Sequence, residues 1–364
     1  MEHLKFLTLS MFLIIIVTSS CKKDDYNLDN SDSFQNPTSS AQQEGQTILG
    51  KQLEDPYALK NMKQAYSNLK SANSETPDID IQPTHTYLRF LPKNEEEWAA
   101  LKSDTSLVLY DYPLNFEIVN LGTYYHDPSL PDSAITYQYC VVPIGYVIPN
   151  VQNELLYEVY IPSEDDSTSL KSTNTGNKFL TDLEYESNRL TGNLPQNDNN
   201  LKSTNGLWSQ WRPKGTIKVW DNVIGDYIPL IQVSVHARWF TRIETDLTDE
   251  NGYFETGKFR NEVNYAIKWE RADYDIRDGD LLQAWYNGPK QKGDWNLNIG
   301  TGGKSIMYAT IHRAAYKHFY GDNLGIRRPT ANGATKLCYK DENGTGAFWG
   351  DWIDMGILPD IRVW

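Results

Sequence analysis

The sequence has little cysteine, no excess of basic residues and almost no long apolar runs, and each shortage excludes a class of protein. Three cysteines in 364 residues are too few for a disulfide-held scaffold. The net charge of −14 argues against a duplex nucleic acid as partner, because phosphate binding needs a basic surface. After residue 20, no apolar stretch is long enough to span a membrane as a helix. With 39% hydrophobic and 12% aromatic residues, the chain can nevertheless bury sizeable cores, and we expect several folded domains.

The motifs of common catalytic chemistries are missing as well. Neither Gly-x-Ser-x-Gly nor His-Glu-x-x-His occurs in the sequence. A Gly-rich run at residues 300–305 lacks the first glycine of a phosphate-binding loop, because Asn298 stands in its place. The sequence therefore predicts no metal, no nucleotide and no other cofactor.

The N-terminus has the pattern of an export signal that ends at a cysteine. Lys5 is followed by an apolar stretch over residues 7–17, and small residues lead to Ser20 and Cys21. This resembles a bacterial lipobox, which implies that Cys21 carries lipid and anchors the chain to a membrane. A plain secretory signal with a chance cysteine is the alternative. The charged cluster at residues 22–25 is similar to the export tag of surface lipoproteins in some Gram-negative bacteria, so we expect an outer-membrane protein exposed at the cell surface.

Composition divides the rest of the chain into segments. Residues 1–206 carry the entire net charge of −14, whereas residues 207–364 are neutral, and a polar stretch lies at the junction. We predict an α+β multidomain protein with the following parts: a signal peptide at 1–20, a flexible tether at 21–50, a mixed α+β domain at 51–160, a polar linker at 161–206, a β-sandwich at 207–290 and a helix-containing partial domain at 291–364.

Apolar periodicity locates the elements of the mixed α+β domain and of the linker. Spacings of three and four residues predict helices, and alternation predicts strands. The predicted helices cover residues 56–71 and 95–102 and a short piece at 179–190 in the linker, and the predicted strands cover 86–91, 107–110 and 135–147.

The segment 207–290 alternates like a small β-sandwich. Strands are predicted at residues 215–220 and 231–237, and Asn251-Gly252 is a typical hairpin turn. The stretches GTIKVWDNVIGDYIPLIQVSV and TDENGYFET resemble a carboxypeptidase regulatory-like domain, which implies a transthyretin-like sandwich. Such a domain implies a spacer or docking unit and says little about chemistry.

The segment 291–364 contains one further helix, predicted over residues 305–320. Its apolar stripe includes Met307, Ile311, Ala315 and Phe319. We expect this face to be incompletely covered, because the chain continues for only 44 residues after the helix.

Two groups of residues remain as candidates for special roles. Cys140 and Cys338 can pair in an oxidising compartment, or they can be two isolated buried thiols. Trp285, Trp349 and Trp352 are candidates for stacking on a glycan or peptide ligand, although core packing is the commoner fate of tryptophan.

Three segments, at residues 125–151, 233–279 and 286–329, resemble a family of exported zinc-metallopeptidase-like bacterial lipoproteins. In that family a segment similar to GILPDIRVW precedes a helix whose two histidines bind zinc and whose glutamate acts as general base. The sequence stops at Trp364, before that motif, so the resemblance transfers no catalytic residue. We therefore expect the non-catalytic N-terminal portion of such a protein, without peptidase activity of its own. The alternative is a complete surface module that binds or adheres to a glycan or peptide.

Overall fold

The structure, a computed structural model, describes residues 44–163, 173–194, 208–322, 325, 334–340, 347–350 and 360–363. For residues 173–177, 347–350 and 360–363 it describes the backbone alone. The proposed lipidation site Cys21 and the candidate Trp352 lie outside the described residues. No helix in the described part of the chain is both long and apolar enough to cross a membrane.

The described residues contain four helices, close to the positions that periodicity predicts. They are α1 (Leu59–Ala72), α2 (Glu95–Ser103), α3 (Thr173–Leu190) and α4 (Lys304–Tyr320). Helix α2 begins at its predicted residue because the Asn94 side chain accepts a hydrogen bond from the Glu97 amide. Three glutamates in its first turn also favour the start of a helix. Helix α3 begins six residues earlier than predicted.

Nineteen strands in the described residues form five sheets, so the predicted mixed α+β class is confirmed. The strands are β1 (Ile48–Gln52), β2 (His85–Phe90), β3 (Phe116–Asn120), β4 (Gln138–Pro143), β5 (Asn153–Val159), β6 (Lys214–Asp221), β7 (Asp226–Pro229), β8 (Ser234–Trp239), β9 (Arg242–Leu247), β10 (Tyr253–Glu255), β11 (Val263–Lys268), β12 (Glu270–Arg271), β13 (Tyr274–Asp278), β14 (Leu282–Gln283), β15 (Trp285–Gln291), β16 (Leu297–Ile299), β17 (Thr335–Tyr339), β18 (Ala347–Gly350) and β19 (Asp360–Val363). Residues 107–110, predicted as a strand, contribute only a single bridge between Tyr110 and Tyr139.

The first 120 described residues form a two-stranded ribbon, β1–β3, and a three-stranded sheet in the order β4–β2–β5. Alternate residues of the three-stranded sheet point to opposite faces. One face contributes Tyr87 and Tyr139 to the main core, whereas Leu88 and Cys140 belong to a small separate core with α2.

Two four-stranded sheets follow, and all of their strands except β16 begin in the segment 207–290 that was predicted as a sandwich. One has the order β10–β6–β16 with β7 beside β6, and the other has the order β15–β11–β8–β9. Their side chains share the main core, where the ring of Tyr265 lies 6.1 Å from that of Phe254 and 5.2 Å from that of Trp295.

The Asn251-Gly252 turn differs from its prediction. It was expected to close a hairpin, but β9 before it and β10 after it belong to different sheets. The turn therefore carries the chain from one sheet to the other. Gly252 has φ +74°, and a Cβ there would lie 2.4 Å from the Ile217 carbonyl oxygen, so a side chain is excluded.

The predicted boundaries do not separate independent cores. Phe179, Leu180 and Leu183 of α3, in the predicted linker 161–206, are buried in the main core. In the segment 291–364, β17 pairs with β13 and with β19, all parallel. The six-stranded sheet with the order β12–β13–β17–β19–β18 thus spans the predicted boundary at residue 290.

The predicted apolar stripe of α4 is only partly covered, because Ile311 and Phe319 are half-buried and only Ala315 is buried. Met307, at the N-terminal end of that stripe, is 42% exposed. Tyr308 and His312 are buried instead, together with Ala315. The expected incomplete cover of the stripe is therefore present, most clearly at Met307. Tyr308 and His312 read as polar in sequence, yet here they pack with hydrogen bonds satisfied.

The two described cysteines are in different parts of the fold. Cys140 lies in β4, within the small core, and Cys338 lies in β17 of the six-stranded sheet. Both are buried, and no disulfide joins them. Of the two alternatives for this pair, the structure has separate buried thiols.

Candidate functional site

Trp285, the predicted stacking residue whose side chain the structure describes, does not face solvent. It is fully buried, and its ring stacks on Tyr110 at 5.2 Å between centroids with 20° between planes. Because both ring faces are taken up by the interior, Trp285 is not a ligand platform. The side chain of Trp349 lies outside the described part of the chain, as does Trp352.

At the end of the Gly-rich loop, where α4 begins, the charged groups contact other charged groups of the protein itself. The Lys304 ammonium group lies 2.9 Å and 3.1 Å from the two carboxylate oxygens of Asp278. The Lys304 amide, at the start of the helix, donates to the Glu44 carboxylate at 2.8 Å. Glu44 thereby provides the negative charge that stabilises this helix N-terminus.

Within the described residues, no group of three or more His, Cys, Asp or Glu side chains could hold a metal ion. The buried histidines have structural partners instead. The His236 ring bonds to the Tyr110 hydroxyl at 3.0 Å, and the His312 ring bonds to the Tyr274 hydroxyl at 3.0 Å. Burial lowers the pKa of His236 to about 3 and that of His312 to about 4, so both rings are neutral at pH 7.

A cavity of about 860 Å³ lies beside the loop between β1 and α1 and contains Asp55. This carboxylate accepts hydrogen bonds from the Tyr57 amide, the Tyr157 hydroxyl and the Thr241 hydroxyl at 2.8–3.0 Å. Burial raises its pKa to about 6, and these donors oppose the shift. Because Asp55 already accepts three hydrogen bonds, it is not a free reactive group. It instead connects three segments of the chain.

A second cavity, of about 520 Å³, has the better features of a binding site. It is lined by residues 116–119 of β3, residues 192–194 after α3 and residues 238–240 at the end of β8, with further residues from β1, β11 and β15. We call it the Arg238 cleft. Its volume is in the range of ordinary ligand sites, and its walls combine apolar and polar side chains.

Arg238 is a buried cation without a carboxylate partner. The residue is 2% exposed, and its Nη1 donates to the Leu114 carbonyl oxygen at 2.7 Å. Nη2 has no partner at regular hydrogen-bond geometry, and none of the carboxylates that the structure describes forms an ion pair with Arg238. The rings of Tyr110 and Tyr112 lie 5.6 Å and 5.5 Å from the guanidinium carbon and hold it by cation–π attraction.

The turn after Arg238 is strained but anchored. Phe240 has φ +51°, a conformation that costs a bulky residue roughly 1–2 kcal/mol. Its ring contacts that of Trp239 at 4.8 Å in a buried edge-to-face pair, which offsets the strain. The Trp239 indole donates to Asn188 of α3 at 3.2 Å. The wall of the cleft is therefore fixed from behind.

At the rim of the Arg238 cleft, one ion pair lies against the ring of Trp239. Lys290 in β15 pairs with Glu262 at 3.1 Å, and its ammonium group lies 4.7 Å from the centre of the Trp239 ring. Both charges are half-exposed, so the pair contributes little to stability. Because Glu262 pairs with Lys290, this ion pair provides no counter-charge for Arg238, which lies deeper in the cleft.

Asp111, elsewhere in the core, is a further buried ionisable group. Asp111 is almost fully buried, and its neighbours in sequence are Tyr110 and Tyr112. The Trp285 indole N–H interacts with its carboxylate, but the geometry is not that of a regular hydrogen bond. Burial raises the pKa of Asp111 to about 7, and nearby Lys268 opposes the shift.

Arg238, Asp111 and Asp55 are not among the candidate residues that the sequence patterns indicate. A signal for Arg238 exists in the printed sequence: the buried strand β8 reads Ser-Val-His-Ala-Arg-Trp, with two basic residues among apolar ones. Five of its six residues are buried, which is unusual for a stretch that contains arginine.

Comparison with known proteins gives no relative: no family model, no curated protein and no solved structure matches the chain.

Replacing Asp111 with asparagine should change how stability depends on pH. The folded state raises the pKa from 3.8 to about 7, so it holds the proton more tightly than the unfolded state does. The resulting stabilisation is complete below the unfolded pKa and is lost as the pH rises through about 7. From pH 5 to pH 8, urea unfolding should show the unaltered chain losing about 2–3 kcal/mol relative to Asp111→Asn.

The exposed Asp132→Asn is the matched control, and its pH profile should follow that of the unaltered chain. The histidines are common to all three proteins and cancel in the comparison. Parallel profiles for Asp111→Asn and the unaltered chain would contradict this account of Asp111.

Proposed function

We propose that this chain is a lipid-anchored surface protein that binds an extended peptide in the Arg238 cleft. The observation that carries the proposal is the course of the cleft along β3. Residues 114, 116–119 and 121 all line it. Successive residues of a strand point to opposite faces of its sheet. Consecutive residues can therefore line a single cleft only if the cleft runs along the edge of the strand.

Strand β3 is suited to accept a further strand. It pairs with β1 in a two-stranded ribbon, and its other edge has no strand partner among the described residues. An unpaired edge offers backbone N–H and C=O groups to an extended peptide. Main-chain hydrogen bonds would then give affinity, and the side chains of the cleft would give selectivity.

The walls of the cleft favour a peptide over a glycan. Sugar binding usually relies on an aromatic ring whose flat face is open to the ligand. Trp239 and Phe240 are both buried and pack against each other, so neither presents such a face. Their role is to form the floor beside the polar side chains Asn193 and Asn264, which can hydrogen-bond an amide backbone.

The proposed location rests on the N-terminal sequence and on the resemblance to zinc-metallopeptidase-like lipoproteins. In this proposal Cys21 carries the lipid, the two four-stranded sheets act as a regulatory-like docking unit, and the chain supplies the non-catalytic, peptide-binding part of a surface protein. Peptide binding in the cleft agrees with this resemblance, because peptidases act on polypeptides.

The anchor can be tested by metabolic labelling in the producing bacterium. With a clickable palmitate analogue, the unaltered chain should be labelled and Cys21→Ala should not, because acylation requires the thiol and then the amino group of this residue. Equal labelling of both chains would contradict lipidation at Cys21.

Peptide binding can be tested with a pair of exposed valines. Val119 lines the cleft and is 65% exposed, whereas Val223, in the turn between β6 and β7, is 97% exposed and lies outside it. The probe is a synthetic library of random octapeptides with free carboxyl termini, incubated with the purified full chain. Val119→Glu should weaken the binding of the selected peptides about tenfold or more, because it places a charge at the strand edge.

Val223→Glu adds the same charge at a similarly exposed site and should leave affinity within about twofold. Equal loss in both variants, or no selected peptide at all, would contradict the proposed peptide-binding function.

A further inference from the structure

We propose that the Arg238 cleft recognises the free C-terminal carboxylate of its peptide, with the Arg238 guanidinium group as the anion-binding element. This inference rests on the proposed function and names the ligand group.

Arginine is seldom fully buried unless it is paired, because removing its charge from water is costly. The other buried arginines of the described chain follow this rule: Arg260 pairs with Glu184, and Arg277 pairs with Asp275. Arg238 is equally buried, yet only Nη1 has a regular partner, a neutral carbonyl oxygen. An incoming carboxylate would supply both the missing charge and an acceptor for Nη2.

The guanidinium group is also held in a fixed position. Two tyrosine rings flank it, and the bond to Leu114 fixes its orientation. An arginine that is ordered before the ligand arrives loses little conformational entropy on binding. This favours recognition of a planar group such as a carboxylate.

The position of Arg238 along the strand selects the terminal carboxylate over an acidic side chain. Arg238 meets the chain at Leu114, two residues before β3 begins. It therefore lies at the end of the free edge and not beside its middle. A strand added antiparallel to β3, as β1 is on the other edge, would end there, where a C-terminal carboxylate is located and an internal aspartate or glutamate side chain is not.

The charge elsewhere in the cleft does not supply a competing anion site. Lys290 is paired with Glu262 at the rim, and Lys51 is an exposed residue on β1. An exposed lysine attracts anions weakly at physiological ionic strength. The deep, uncompensated charge is that of Arg238.

The test compares two random octapeptide libraries that differ only in their C-terminus, one a free acid and one an amide, each incubated with the full chain. The tightest free-acid sequence is then synthesised in both forms, and its affinities are measured by calorimetry. We expect the amide to bind at least about tenfold more weakly, since it loses a buried charge-assisted contact. This comparison needs no substitution and so does not depend on the folding of a variant.

Three variants locate the effect. Arg238→Gln should abolish the difference between acid and amide, Arg238→Lys should retain part of it, and Lys51→Gln should keep it intact. Circular dichroism establishes that each variant is folded. If a folded Arg238→Gln still distinguishes acid from amide, the assignment to Arg238 is overturned.

The remaining outcomes separate this inference from the proposed function. Equal affinity for acid and amide overturns the carboxylate inference and leaves peptide binding standing. Amidated peptides that bind only with an internal aspartate or glutamate overturn the terminal position, because the carboxylate then comes from a side chain. Selection from neither library overturns the carboxylate inference and the peptide-binding function together.

Discussion

The fold around the cleft depends on one buried carboxylate. Glu184 of α3 is 1% exposed, and it receives Arg242 at 3.2 Å, Arg260 at 2.5 Å and the Tyr57 hydroxyl at 3.1 Å. Taking a carboxylate out of water costs several kcal/mol, and only well-placed cations offset that cost. Because the three partners come from the β1–α1 loop, β9 and the segment before β11, this single group joins α3 to the N-terminal part of the chain and to the large sheet.

The same helix connects the ion cluster to the binding surface. One turn after Glu184, Asn188 accepts hydrogen bonds from the Trp239 indole and from the Asn261 side chain. Residues 192–194 then continue from the end of the helix into the wall of the Arg238 cleft. The strained turn at Phe240 and the position of Arg238 are therefore set from behind by polar groups on α3, and a rigid wall of this kind is what a preorganised binding site requires.

Local signals in the sequence predict much of the fold but little of the site. The start of α2 follows from Asn94 and the glutamates after it, and alternation predicts β2 and β6 within a residue or two. Helix α3 read as part of a polar linker because its inward face carries Glu184, Ser187 and Asn188, whose partners are distant in sequence. For Trp285 the sequence left ligand stacking and core packing both open, because its stacking partner Tyr110 belongs to a remote segment. A local sequence pattern predicts that polar residues are exposed, and it gives no sign of the long-range pairing that buries them.

The central claim is that Glu184 holds the segment 173–194 in the core, and urea unfolding of Glu184→Gln tests it most directly. This change removes the carboxylate that pairs with Arg242 and Arg260, so we expect a loss of about 3 kcal/mol in unfolding free energy. Asp182→Asn is the matched control on the same helix, where the i,i+4 pair with exposed Lys178 should contribute about 0.5 kcal/mol or less. A loss for Glu184→Gln no larger than that of the control would contradict the account.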